Sequence, residues 1–299
     1  MQLTPVFLSG LTGSLDRISS NEQQLTNEIS SGYRVNSLSD DPVAAGENVT
    51  LSASIQQDDS YHQSTLTATG KLQVTDSALG SVVTQLTQAI AAATEGDSGT
   101  NNAGDLAAVA TKLSGIRDEL LSLANTSYMG SYLFAGSKSN TAPFGLDVSV
   151  DPAVVTYNGD SVQSSLTSPQ GSSIALNTPG DQIFSAAATN VFGVLNELIS
   201  DFAAGNVTAA QAATAGLTSA VSFVSQQRAG LDNSITRLTS EDSTLQQQST
   251  QLVTRQTNLL QADTATVATA LSSSETQQAA LQDVIAALEK QGSLFDVLR

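Results

Sequence analysis

Leucine recurs at every seventh position from Leu231 through Leu238, Leu245 and Leu252 to Leu259, and the halfway positions hold Ile235, Asp242, Ser249 and Gln256. A seven-residue repeat keeps one seam of a slightly under-wound helix turned toward a partner helix, so this stretch predicts a coiled-coil strand. Most of the halfway residues are polar, which makes the seam thin and its pairing dependent on the partner. A second periodic stretch opens the chain. Leu11, Leu15, Ile18, Leu25 and Ile29 follow alternating steps of four and three, with Glu22 interrupting. Pro5 suits an early helical position and Gly32 the position after the last turn. Gly10 and Gly13 within this helix each cost about 1 kcal/mol relative to Ala, so alone it is weak.

Between these stretches the pattern changes several times. A connector from Tyr33 to Ser39 leads to Asp40, Asp41 and Pro42, where Asp41 can cap a helix and Pro42 can occupy its first position. That helix is expected to run to about Thr94, with Leu72, Leu79, Val83, Leu86 and Ile90 marking its later seam. Residues 95–104 are turn-rich, and Leu106, Val109, Leu113, Ile116, Leu120 and Leu123 then follow a three-four pattern, which implies an antiparallel helical hairpin. From Thr141 to Phe184 lie four of the chain's six prolines, and β-branched residues precede Asn158-Gly159, a hairpin signal. Residues 173–184 read as another short strand and turn. Helix is expected again from Ser185, with a break at Gly205-Asn206 and a restart near Thr208. After Leu259 the seam slips by one residue, to Leu260, Val267, Leu271, Leu281, Ile285 and Leu288, which marks a change of packing environment near Asp263.

The expected fold is therefore mainly α: an elongated rod of long coiled-coil helices from both chain ends, with a small β-rich inserted domain. Its expected divisions are a terminal coiled coil (1–41 with 262–299), a helical rod (42–140 with 185–261) and the insertion (141–184). Because the insertion's strands lie outside every heptad seam, the helical fold is expected not to need them.

Composition narrows the chemistry. The chain has 299 residues and no Trp, and 13% of them are charged, against roughly 25% in an average globular protein. Its net charge is −17, with no basic run to neutralise phosphates or an anionic membrane, so neither nucleic-acid binding nor membrane insertion is expected. No apolar run near the ~20 residues of a membrane span stands out, and MQLTPVFLSG lacks the features of a cleavable signal. Zero cysteines leave the compartment open and exclude thiol catalysis. His62 is the single histidine, so histidine- and cysteine-based zinc sites lack ligands. Asp58 lies one turn before His62, but no nucleophile motif accompanies the pair, and a solvated helix face is the expected reading. Gly70-Lys71 lacks the remainder of a phosphate loop. Asp40-Asp41 has too few nearby acids for calcium and reads as capping. Residues 145–184 hold no His, Cys, Lys or Arg, leaving Asp147, Asp151, Asp160 and Asp181 as poor material for catalysis. No cofactor is expected. Arg34, Arg117, Arg228 and Arg237 are scarce cations that read either as surface pairs, each worth under ~1 kcal/mol, or as contacts to acidic faces of neighbouring subunits.

Helices from the two chain ends around a variable middle resemble the bacterial flagellar axial proteins. ISSGYRVNSLSDDPVAAGENV (29–49) is similar to a family block carried here by Arg34, Asn36, Asp40, Asp41 and Pro42. Flagellins usually have Ala where this chain has Pro42, which turns the resemblance toward the hook-associated protein 3 family of hook–filament junction proteins. GIRDELLSLANTSYMGSYLFAGSKSNTAPF (115–144) resembles that family's signature at Tyr132, Phe134, Gly136, Pro143 and Phe144. Residues 259–282 and SLFDVLR (293–299) resemble its terminal helix and its ending.

The resemblance implies a non-enzymatic structural subunit, exported without a cleaved signal and placed outside the cell on the flagellum. Its implied partners are a homo-oligomeric ring, the other hook-associated junction protein, flagellin and an export chaperone. The segment around Asp40-Asp41 becomes the bend between terminal and inner domains. Leu11, Leu15, Ile18, Leu25, Ile29, Leu271, Leu281, Ile285, Leu288, Leu294 and Phe295 become self-assembly seams. Rival readings are a short flagellin and a secreted enzyme or binding module with its site in the insertion.

Overall fold

The computed structural model describes residues 5–98, 101–150, 153–186 and 190–297, with side chains from residue 9 to residue 288 among them. Over these residues the chain is mainly helical, with three short strand pairs. The helices are α1 (Pro5–Ser31), α2 (Pro42–Gly96), α3 (Ala103–Ala124), α4 (Gly180–Phe184), α5 (Val191–Ala203), α6 (Val207–Leu260) and α7 (Thr264–Val297). The strands are β1 (Ser127–Tyr128), β2 (Ser131–Tyr132), β3 (Phe144–Asp147), β4 (Val154–Tyr157), β5 (Ser165–Thr167) and β6 (Ser173–Ala175). Two compact units result, one formed by residues 1–56 with 248–299 and one by residues 57–247.

In the first unit α1 packs against α7. The inward positions of α1 are Leu11, Leu15, Ile18, Glu22 and Leu25. At its end Glu28 is buried while Ile29 is 38% exposed, so within the chain Ile29 turns away from α7. Along α7 the inward positions are Val267, Leu271, Ser274, Gln278, Leu281, Ile285 and Leu288, an unbroken heptad with two polar layers. Leu294 and Phe295 lie outside the described side chains. Gly32 ends α1 with φ +74°, a conformation glycine adopts without a Cβ penalty, and its N–H donates to Glu28 O at 2.9 Å. The slip after Leu259 is a break between two helices rather than a shift within one. Asp263 Oδ1 accepts from the backbone N–H groups of Ala265 and Thr266 at 3.1 and 3.3 Å, so a new helix starts here with its own face.

In the second unit the leucine column of α6 extends back toward the helix start, through Val224, Leu217 and Ala210, all buried. Every seventh residue of α2 in this unit is buried as well, from Asp58 through Thr65, Leu72, Leu79 and Leu86 to Ala93, and the same column begins with Ala44 and Leu51 in the first unit. Val82 and Ala89 are fully buried, whereas Val83 and Ile90, the residues expected in that seam, are only partly buried. Arg228 Nε donates to Asp76 Oδ1 at 2.8 Å across the pair, and His62 Nδ1 lies 2.8 Å from Asp242 Oδ1, which fixes an antiparallel register. Asn102 starts α3 with a reciprocal capping box to Asp105, and α3 packs on α5 through Leu106, Val109, Leu113, Ile116 and Leu120.

α6 also contains a stretch long and apolar enough to cross a membrane by length and composition, contrary to expectation. Ala210, Leu217 and Val224 bury its column in the core, while hydroxyls such as Ser219 and Ser222 turn back onto backbone carbonyls elsewhere around the helix.

The insertion departs from its sequence reading in two ways. Asn158-Gly159 turns no hairpin. β3 and β4 pair antiparallel across residues 148–153, and the Asn158 N–H instead donates to Pro143 O at 2.7 Å. The Lys138 ammonium donates to the carbonyls of Asn158 and Gly159 at 3.3 and 3.2 Å, which holds the dipeptide against residues 135–143. The insertion is also part of the core rather than an accessory to it. Ile174 is buried at 1% exposure and joins the hydrophobic cluster, with Val155, Tyr157, Leu166 and Leu176 packed against it. Two-stranded ladders are marginal alone, so these short pairs depend on that packing. A hairpin the sequence reading missed joins β1 to β2 through Met129 (φ 49°) and Gly130 (φ 80°); only the glycine in the YMGSY run signalled it.

Candidate assembly site

The residues singled out in the connector all converge on one joint. Asp41 Oδ1 accepts the N–H groups of Val43 and Ala44 at 3.1 and 3.0 Å, capping α2 with Pro42 in its first position. Its Oδ2 takes the Arg34 guanidinium at 3.1 Å. Asp40 Oδ2 accepts the N–H groups of Asn36 and Ser37 at 2.9 and 2.8 Å, and Asn36 Nδ2 returns to Tyr33 O at 3.0 Å. The Ser37 hydroxyl and backbone hold the Asp40 carboxyl below the usual range, and the Ala44 N–H followed by Arg34 does the same for Asp41. Both carboxylates are thus occupied as acceptors by the turn itself.

The joint also ties the two chain ends together. Arg34 N–H donates to Leu260 O at 2.7 Å, Ala262 N–H donates to Gly32 O at 2.9 Å, and Tyr33 and Gln261 form an isolated antiparallel bridge. Nearby, Gln256 Nε2 donates to Asn48 Oδ1 and to Ser52 Oγ, each at 2.8 Å, and Arg255 pairs with Glu47. Two of the polar halfway residues of the α6 seam, Asp242 and Gln256, therefore carry hydrogen bonds to α2.

The second motif builds an aromatic cluster in the other unit. Phe134 meets Phe184 edge-on at 5.4 Å, and Phe144 lies 5.0, 5.3 and 5.5 Å from Tyr157, Phe184 and Phe192. Gly136 adopts φ +68°, and a Cβ there would collide with the backbone carbonyl and carboxylate of Asp160. Asp160 in turn accepts the Ser137 N–H at 2.7 Å and the Val162 N–H at 3.1 Å. Pro143 supplies the carbonyl for Asn158, and Tyr132 N–H donates to Ser139 O at 2.8 Å.

Other candidates are also resolved. Asp58 is buried, not solvated, and burial followed by the neighbouring Asp59 charge pushes its carboxyl upward. His62 partners Asp242 across the seam instead of Asp58. Arg117 is buried and pairs with Asp118, Arg228 binds Asp76 through two hydrogen bonds, and Arg237 donates to Ser172 Oγ at 3.1 Å. With Arg34 on Asp41, all four arginines have partners within the chain. Among the described residues no group of three or more His, Cys, Asp or Glu is arranged to hold a metal.

Residues 9–139 match the bacterial flagellin N-terminal helical region. The chain is 34% identical over 188 residues to flagellar hook-associated protein 3 of Escherichia coli, a match covering 58% of this chain and 57% of that protein. It is 34% identical over 184 residues to the Salmonella typhimurium protein of the same name, covering 61% and 55%. The chain thus spans little more than half the length of these relatives. In fold it resembles the crystal structure of FlgL from Xanthomonas campestris (TM-score 0.59, 16% identity, 69% of this chain and 98% of that one). It also resembles FlgL from Bacillus cereus (TM-score 0.56, 18% identity, 70% and 99%).

Proposed function

We propose that this chain, which carries the flagellin-type N-terminal helical region and is a relative of the hook-associated 3 proteins, is a structural subunit of the bacterial flagellum at the hook–filament junction. The observation that carries the reading is the joint of residues 32–42. Arg34, Asn36, Asp40 and Asp41 direct their polar groups at the chain itself and hold the amino-terminal helix beside the α6–α7 break. Such a joint fixes the geometry of a subunit, and the likeness to flagellar hook-associated protein 3 supports a non-enzymatic reading.

In this proposal residues 1–41 and 262–299 act as the terminal assembly domain, 42–140 and 185–261 as the rod, and 141–184 as the inserted domain. Ile29, which faces outward, and the half-exposed edges of the α1–α7 seam meet neighbouring copies in a ring. The other hook-associated junction protein lies on the hook side and flagellin on the filament side, with an export chaperone engaged before secretion. The site of action is outside the cell.

The test is electron microscopy of the purified chain, alone and mixed with purified hooks and flagellin. The reading predicts no long filament from the chain alone, and flagellin growth from hooks that depends on adding it. Long filaments from the chain alone would make it a short flagellin instead.

A further inference from the structure

One section of the α2–α6 seam has no part in that reading. Asp58 and Thr65 occupy successive column positions on α2, between Leu51 and Leu72, where the rest of the column is apolar. They are 6% and 2% exposed. Asp58 Oδ2 has no hydrogen-bond partner, and the Thr65 hydroxyl has none beyond the Tyr61 hydroxyl, which is itself committed to Glu241. The antiparallel register set by Asp76–Arg228 and His62–Asp242 puts Asp58 in the layer of Leu245 and Thr65 in the layer of Leu238. Each buried oxygen is therefore opposed by a leucine that offers it nothing.

The half-layer between them is polar too. Tyr61 OH donates to Glu241 Oε2 at 3.0 Å, and Gln246 Nε2 donates to Asp242 Oδ2 at 2.8 Å beside His62. Asp58, Asp59, Glu241 and Asp242 thus bring several carboxyl groups into one heptad of the pair. Beyond it the seam returns to Leu72, Leu79 and Leu86 against Leu231, Val224 and Leu217, all buried.

We infer that residues 58–65 of α2 and 238–245 of α6 form a labile joint in the helix pair. Both helices continue through it, but the seam parts here more readily than in the leucine-lined stretch that follows. A buried polar atom without a partner regains its hydrogen bonds to water when the seam opens, so opening is favoured where such atoms cluster. An apolar layer gains nothing comparable. Local opening free energies vary along a structure in this way, and the joint confines bending and breathing of the pair to one heptad.

Hydrogen exchange on the full chain, resolved by peptide, tests the inference. Amides of 55–68 and 236–248 should exchange about tenfold faster or more than those of 72–93 and 217–231. The double variant D58L/T65V continues the apolar column and should slow exchange in the first two segments about tenfold while leaving the others unchanged. The single variant T65V, which keeps the side chain's shape, should move the same segments in the same direction by less, and it serves if the double variant misfolds. Equal protection along both helices in the natural chain, or a T65V chain that exchanges at 55–68 as before, overturns the joint.

Discussion

Truncating Phe144 to Ala tests whether the second motif is packing. The ring is 3% exposed and lies against Tyr157, Phe184 and Phe192, at the place where the insertion meets α5. Removing a buried Phe side chain costs about 3–5 kcal/mol, and the three ring pairs, about 0.5–1.5 kcal/mol each, are contained in that figure. Collapse into the cavity is restricted by the approach of Gly180, where even a Cβ would stand 2.7 Å from the Phe144 ring. The upper part of the range is therefore expected. For a domain of about 150–250 residues each kcal/mol moves Tm by about 2–4 °C, so a loss of about 4–5 kcal/mol should lower the transition of the 57–247 unit by roughly 8–20 °C. Calorimetry of the full chain reads this directly, with the two units fitted as separate transitions. Phe144→Leu, which retains much of the buried area, should lose well under half as much. A loss for Phe144→Ala below about 2 °C would refute the packing argument and reopen a binding role for the aromatic cluster.

Gly136→Ala should unlatch the 134–137 turn from Asp160, because it adds both a left-handed backbone penalty of about 1 kcal/mol and a collision with backbone; proteolysis of the insertion should rise while helix content by circular dichroism holds. A double-mutant cycle on Asp76→Ala and Arg228→Ala should give a coupling of only about 0.5–1 kcal/mol, since the pair is partly solvated and screened; a coupling above about 3 kcal/mol would show it to be desolvated. Acid should act in opposite directions at the two polar regions. Asp40, Asp41 and Asp263 have lowered pKa values, so the stability they confer is present above the ordinary value of 3.8 and is lost as pH falls through and below it. Asp58 has a raised one, so its destabilisation is present at neutral pH and is relieved as pH falls through that raised value toward 3.8. Exchange corrected for intrinsic rates should therefore show residues 55–68 gaining protection before residues 32–44 lose it. The reverse order would contradict the assignment.

Legibility in the sequence followed the size of the residues and the range of the contacts. The α6 column was readable because leucine fills most of it. Its partner on α2 was hidden because Ala44, Asp58, Thr65 and Ala93 occupy half of the buried repeat. The choice between Val82 and Val83 depends on which side of α2 the rest of the core covers, which no periodicity encodes. The cap at Asp41 was readable since capping is local, whereas the pairing of Arg34 with Leu260 joins segments distant along the chain. Asn158-Gly159 misled because a turn preference of a few residues yields to tertiary contacts with Pro143 and Lys138. The same holds for His62, whose real neighbour, Asp242, lies on another helix.

The central claim, that the chain joins hook to filament, is tested most directly by deleting its gene in a motile strain that encodes it and examining both the cells and the medium. The account predicts cells with intact hooks and no filaments, and monomeric flagellin released into the medium, with filaments restored when the chain is supplied again. Normal filaments on the deleted strain, or loss of the hooks themselves, would contradict it.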